Sequence, residues 1–406
     1  MNMNLKKYNL FTLITIALVI LMPFYVILKV FFEYQLGMSY MVLFKELILL
    51  LFAFVYEFYK AKKWPQLELL DYLILAYFFY GVLITLVNGL ISHLFHGRYD
   101  FMFLVVFLLL RHGEQFLQIS TKKLVRLFVW SGGISLFLGV FLKVIEEMLI
   151  LFGFNYYVSN WTFQGSVPIY HVESGIRRFQ ILDGPNQMAF FLFTYMAALY
   201  FAKKRFEFHH GIILIALFIG IVATFSRSAL LLAGGIGLLV IINFMTLFKK
   251  YKKQMLLLAV GVIVLGSIGI VFERKIHSII VRPGSSSAHF ERMEIGLQKF
   301  IEKPLGYGLA SSPYRQVHSG PLTKEDEKQF IPESWFVQQL VEGIIYFTLF
   351  CSILIMILLR VYKNSPSFFV ACIAIGVMNI FLHIFEATYV SVLLFIFLLL
   401  TAKKYA

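Results

Sequence analysis

Apolar residues run through this chain in blocks of about 15 to 25, separated by short basic clusters, which is the length and punctuation of helices that cross a bilayer. About twelve blocks can be drawn, near 8–28, 38–59, 69–91, 97–110, 124–150, 185–202, 210–225, 228–247, 254–272, 334–358, 366–382 and 387–402. The fourth and seventh are short enough to be tilted or partly re-entrant. The first is longer than a signal-peptide core, lacks a small-residue cleavage site and contains Pro23, which a spanning helix tolerates. The pattern predicts an all-α integral membrane protein of about 12 transmembrane helices.

The basic clusters orient these helices. Lys6–Lys7, Lys60–Lys63, Lys122–Arg126, Lys203–Arg205, Lys249–Lys253, Arg360–Lys363 and Lys403–Lys404 all fall on one side if the N-terminus is cytoplasmic, the positive-inside pattern. One missed helix would flip everything after it, so the agreement bears on the count as well as the direction. Both termini are then cytoplasmic, in a multi-pass protein of the cytoplasmic membrane. Two long loops lie outside, at about 152–184 and 273–333. With no linker or internal repeat, residues 1–406 read as one polytopic domain.

Composition narrows the function. The chain is 60% apolar with 45 Phe and a mean hydropathy of +0.81, beyond what a soluble domain carries. Its formal charge of +14 sits at helix ends rather than along one face, which argues against nucleic acid. Cys351 and Cys372 lie inside apolar blocks and read as small hydrophobes. No carboxylate pair of the usual divalent-cation kind stands near Glu33, so neither a metal nor another cofactor is implied. The sequence Asn160-Trp161-Thr162 fits a glycosylation sequon, a motif common by chance.

The polar stretch from Glu273 to Glu333 is the longest break in the apolar pattern, and chemistry outside the lipid belongs there. Within it Phe290, Met293, Leu297 and Phe300 recur at helical spacing, the Ser285–Ser287 cluster can cap the start, and Pro304 stops the run. This predicts an amphipathic helix lying on the bilayer surface or on the bundle, with Arg292 and Lys299 sharing a second face. Leu305-Gly306-Tyr307-Gly308 then reads as a tight turn bringing the chain back to the bundle.

Arginines recur on the same side. Arg177 and Arg178 stand just ahead of Asp183-Gly184-Pro185-Asn186, and Arg227 sits in the short turn Thr224-Phe225-Ser226-Arg227-Ser228. Each alone reads either as a headgroup anchor or as a ligand group. Guanidinium forks match phosphate oxygens and keep their charge, so Arg177, Arg178, Arg227 and Arg292 together suggest a diphosphate clamp. Glu333, in Ile331-Pro332-Glu333-Ser334-Trp335 at the outer mouth of the tenth block, is either a helix-capping carboxylate or a general base beside the clamp. His318, His171 and Arg315 are secondary candidates.

These pieces resemble the O-antigen ligase and O-antigen polymerase superfamily (WaaL and Wzy types) over most of the chain. RFQILDGPN from Arg178 looks like the family's arginine followed by a Gly/Pro/Asn element before a helix, and FSRSALLLAGG from Phe225 is similar to its Ser-Arg-Ser helix start. RMEIGLQKFIEKPLGYG, Arg292 to Gly308, resembles its arginine helix ending in a Pro-Leu-Gly-x-Gly turn. The fifteen residues between Arg292 and Gly308 match a spacing noted in polymerases. ESWFVQQLVE, Glu333 to Glu342, looks like the helix start after the loop. Ligases usually carry histidine then asparagine where this chain has Glu333-Ser334, and that departure favours the polymerase branch.

The resemblance implies a metal-independent glycosyltransferase whose donor is a polyprenyl-diphosphate-linked oligosaccharide. An acceptor glycan hydroxyl, deprotonated by Glu333, would attack the anomeric carbon with inversion, and the arginines would stabilise charge on the departing diphosphate. The lipid bilayer, a flippase and a chain-length regulator are the other partners implied. A ligase moving the glycan to a different acceptor is the nearest rival. A lipid-linked sugar flippase is the rival of another class, but such transporters place charge at mid-membrane and show repeats.

Overall fold

The computed structural model describes residues 8–25, 42–62, 66–89, 98–151, 185–202, 208–224, 283–309, 311, 334–380, 382, 385 and 388–402. Among them the regular structure is helical, with no strand. The helices are α1 (Leu10–Leu21), α2 (Val42–Ala61), α3 (Leu69–Val87), α4 (Arg98–Gly113), α5 (Thr121–Leu151), α6 (Pro185–Ala202), α7 (Phe208–Ala223), α8 (Pro283–Glu302), α9 (Trp335–Glu342), α10 (Ile344–Tyr362), α11 (Pro366–Asn379) and α12 (Thr388–Ala402). By length and hydropathy α3, α10 and the 121–141 part of α5 can each cross a membrane, and several shorter helices are equally apolar. The blocks predicted at 228–247 and 254–272 lie outside the described residues.

Two helices form the centre. α6 and α12 are apolar all round and buried all round, from Met188 to Leu199 and from Val390 to Leu400, as a helix enclosed by other helices must be. Two of their hydroxyls bond back along their own helix, Thr194 Oγ1 to the Phe190 carbonyl at 3.1 Å and Thr401 Oγ1 to that of Phe397 at 2.7 Å, while the Tyr195 hydroxyl donates to the Val129 carbonyl of α5 at 3.0 Å. α4 and α10 pack on α12, and α5, α7 and α11 pack on α6. The outward side of α3 is apolar and exposed (Leu69, Tyr72, Phe79, Leu83, Val87), the surface a bilayer would cover.

Helix termini meet in two groups. At one end the Asn9 amide donates to Gln118 Oε1 at 2.8 Å, Thr121 Oγ1 to the Leu400 carbonyl at 3.2 Å, and Asn364 Nδ2 to the Ala402 carbonyl at 3.1 Å. There Arg111, in the last turn of α4, contacts Glu68 at 2.6 Å and Asp71 at 2.7 Å, and Arg360, in the last turn of α10, reaches Glu68 at 3.0 Å. The starts of α1, α3, α5 and α11 therefore share an end with the finishes of α4, α10 and α12.

The tenth apolar block is not the continuous helix its pattern predicts. The ring centroids of Trp335 and Phe350 are 6.1 Å apart, as are those of Phe336 and Phe347. In one straight helix the first pair would be separated by about 22 Å and the second by about 16 Å. The chain instead reverses at Gly343, whose φ of +147° lies where a side chain is strained, and α9 and α10 form a hairpin. Trp335 packs among Phe103, Phe350 and Phe385, well inside α4 and α10. Thus α9 starts in the interior and rises to the end of the bundle at Gly343.

Ser334 is buried, its hydroxyl accepts the Val337 amide at 3.3 Å and donates to the Asn379 carbonyl at 3.3 Å, and the Trp335 amide donates to the Leu382 carbonyl at 3.2 Å. Non-helical backbone at depth is tolerated where protein surrounds it and supplies such bonds.

Candidate functional site

The predicted amphipathic helix is present as α8, starting at Pro283, two residues before the serine cluster, with proline at the first helical position where its missing N–H costs nothing. Its predicted apolar face divides. Met293, Gly296 and Phe300, three and four residues apart, turn inward, and Met293 packs with Tyr307 on Val337 and Val341 of α9. Phe290, Leu297 and Ile301 form an adjoining stripe that stays exposed, Phe290 at 63% and Ile301 at 72%. On the other flank of the packed edge, Arg292 and Lys299 continue into Lys303, spaced seven and four residues apart. The acids Glu291, Glu294 and Glu302 occupy the remaining exposed side.

After α8 the Pro304–Gly308 turn docks on the hairpin. The reversal at Gly343 interrupts the helical ladder, and each interrupted group needs another partner. The turn supplies two: the Tyr307 amide donates to the Val341 carbonyl and the Ile344 amide to the Pro304 carbonyl, both at 3.0 Å. The contact is tight. A Cβ on Gly306 (φ +98°) would sit 1.8 Å from the Glu342 carbonyl oxygen. Tyr80 donates to the Leu305 carbonyl at 2.7 Å, and the Leu309 amide to Thr85 Oγ1 at 2.7 Å, which ties the turn to α3 as well.

Beneath the turn lies a polar layer inside the helices. Asp100 of α4, Tyr77 of α3, Gln338, Gln339 and Glu342 of α9 and Tyr346 of α10 are all buried. The Gln338 amide nitrogen lies between two carboxylates, 3.2 Å from Asp100 Oδ1 and 3.2 Å from Glu342 Oε1. Gln339 donates to Glu342 Oε2 at 2.9 Å and accepts from the Tyr77 hydroxyl at 2.8 Å, while the Tyr77 and Tyr346 rings stack at 3.9 Å. Ionisable groups within a membrane bundle are costly and mark functional regions. This layer went unread in the sequence, although an acid at the end of an apolar run, as in Leu340-Val341-Glu342-Gly343, was a usable signal.

Tyr307 carries the cationic side of the turn. The ammonium groups of Lys299 and Lys303 lie 5.8 and 5.1 Å from its ring centroid, within cation–π range. Its hydroxyl donates to Glu302 at 3.4 Å. Burial, with the Glu302 charge adding to it, raises the Tyr307 pKa above the ordinary value, so the phenol stays protonated. Lys303 also bonds Asn88 Oδ1 at the end of α3.

Of the candidate residues read from sequence, Arg292 is described: it is exposed, on the basic row of α8. Glu333, Arg177, Arg178, Arg227, His171, His318 and Arg315 lie outside the described residues. No group of histidines, cysteines and acids able to hold a metal occurs among the described residues.

No curated protein matches the chain. Residues 212–351 match the family model described as O-antigen ligase. That stretch contains α8, the docked turn and the α9–α10 reversal, so over this part of its length the chain is similar to the O-antigen ligase family.

Proposed function

We propose that this protein is a membrane glycosyltransferase that polymerises polyprenyl-diphosphate-linked oligosaccharide repeat units on the external face of the cytoplasmic membrane. The observation that carries the reading is the basic row of α8 held at one end of the bundle by a turn docked into the α9–α10 reversal, within the segment that matches the O-antigen ligase family. Arg292, exposed on that row beside the docked turn, suits a leaving group that gains negative charge. If the basic clusters mark the cytoplasmic side, as the positive-inside pattern expects, α8 lies outside.

In the proposed reaction an acceptor hydroxyl oxygen forms the new bond to the anomeric carbon as the carbon–oxygen bond to the diphosphate breaks. The diphosphate leaves with the electron pair, and the acceptor's proton passes to the Glu333 carboxylate and then to water. Arg177, Arg178, Arg227 and Arg292 bind the diphosphate; His171, His318 and Arg315 remain secondary candidates. No metal takes part, since the donor arrives already activated.

A purified-component assay tests this. With lipid-linked repeat units as sole substrate the protein should build a ladder on the carrier lipid. Arg292→Ala should cut the rate at least about a hundredfold with normal membrane insertion, and Glu333→Gln should act in the same direction. Transfer to a non-lipid acceptor without a ladder would favour the ligase reading. A wild-type protein that changes glycan length only when translocation is limiting would favour the flippase.

A further inference from the structure

Lys303 is half-buried, yet the groups that hold it are neutral: the Asn88 side-chain oxygen, which accepts its hydrogen bond, and the face of the Tyr307 ring at 5.1 Å. A buried cation is normally matched by an opposite charge. Here an amide dipole and a ring quadrupole fix the ammonium in place and leave its full charge available. The site is built from three elements, the end of α3, the end of α8 and the docked turn, so its position is set by the same contacts that close the α9–α10 reversal. Lysine is suited to phosphate as a compact point charge where arginine would act as a fork.

The helical rise separates Lys303 from Arg292 by about 16 Å along α8, and from Lys299 by about 6 Å. One diphosphate can touch Lys299 and Lys303 together but does not stretch from Lys303 to Arg292. We infer that Lys303, carried on Asn88 and Tyr307, is a binding residue for the diphosphate of a lipid carrier, at a subsite separate from Arg292. This rests on the functional reading above. In a polymerisation both donor and acceptor are lipid diphosphates, so two such subsites have two occupants to take.

A lysine just past a helix C-terminus also complements the helix dipole, and the test must separate that role from binding. The full-length protein in detergent micelles is titrated with polyprenyl diphosphate lacking sugar, and elongation kinetics and thermal midpoints are measured for wild type, Lys303→Gln and Lys303→Arg. The inference expects Lys303→Gln to weaken polyprenyl diphosphate binding and raise KM about tenfold or more, with kcat within about twofold and the thermal midpoint unchanged; this is the scale of one charge-assisted contact. Lys303→Arg should recover most of the affinity. Inorganic pyrophosphate should compete with the lipid in wild type and less in Lys303→Gln.

An acceptor glycoside without a diphosphate assigns the occupant. If Lys303 serves the donor, the KM defect persists with that acceptor; if it serves the acceptor, the defect disappears. Either result supports diphosphate binding. Unchanged binding and KM in Lys303→Gln, against a wild type that binds and elongates, overturn this inference and leave the functional reading standing. So does a lowered midpoint with unchanged KM. A wild type that neither binds polyprenyl diphosphate nor elongates takes both down.

Discussion

At the end of the bundle where α3 begins, acids and bases contact one another directly; at the end where α8 lies, Lys303 is held by neutral groups. The first end is a closed set in which Arg111 contacts both Glu68 and Asp71, His112 sits 3.3 Å from Asp71, and Arg360 completes Glu68. Its field is spent internally, and its effect is to hold α3, α4 and α10 together. At the other end the carboxylates of Asp100 and Glu342 lie under amides and a tyrosine, while Lys303 rests on neutral groups above them. Charge paired with charge stabilises a fold, whereas charge held by dipoles keeps a field that a ligand can use.

Three experiments test that contrast, the largest effect first. Gly306→Val places a side chain against the Glu342 carbonyl and also strains the backbone. It should cost more than about 3 kcal/mol and abolish transfer, seen as a lowered thermal midpoint and a lost product ladder. Near-normal values for both would mean that the turn does not dock on the reversal.

Glu342→Leu removes the acceptor for Gln338 and Gln339, leaving buried donors at about 1–3 kcal/mol each. It should destabilise by about 2–5 kcal/mol and lower turnover of the protein that remains folded. Glu342→Gln, which keeps an oxygen in place, should cost less on both measures. A Leu variant with full turnover would reduce the polar layer to packing.

Arg360→Gln should cost only about 0.5–1 kcal/mol, because that pair is largely exposed and screened by salt, and should leave turnover untouched. The Glu68 pKa is lowered by its bonds to Arg360 and Arg111. A carboxylate depressed in the folded state contributes stability above its unfolded pKa and loses it as pH falls through the folded value. The gap in thermal midpoint between wild type and Arg360→Gln should therefore hold at neutral pH, begin to close below the ordinary value of 4.5, and vanish under the lowered one. A pH-independent gap would remove the charge pairing as its cause.

Much of the helical layout was legible because burial in lipid leaves a coarse signature. α3, α4, α11 and α12 begin or end within a few residues of the blocks drawn from hydropathy, since each span must satisfy its own backbone. The arginine helix and its turn were legible for the same local reasons, periodicity followed by Pro304 and two glycines. The α9–α10 reversal was not. Trp335 to Leu358 is apolar enough to read as one span, and Gly343 is tolerated within a spanning helix. Only the docked turn, some forty residues earlier in the chain, supplies the bonds that make the break affordable. The polar layer escaped for a related reason: Tyr77, Asp100 and Glu342 are far apart in sequence, and their meeting is a property of packing.

From the residues alone come the membrane class and the limits of several helices, because these depend on apolar length and on prolines and glycines that act locally. Tertiary structure decided where α9 starts, which edge of α8 is covered, and which charges are matched by opposite charge and which by dipoles. Those outcomes turn on distances of a few ångströms between segments remote in the chain, where one hydrogen bond or one Cβ selects between a straight helix and a reversal.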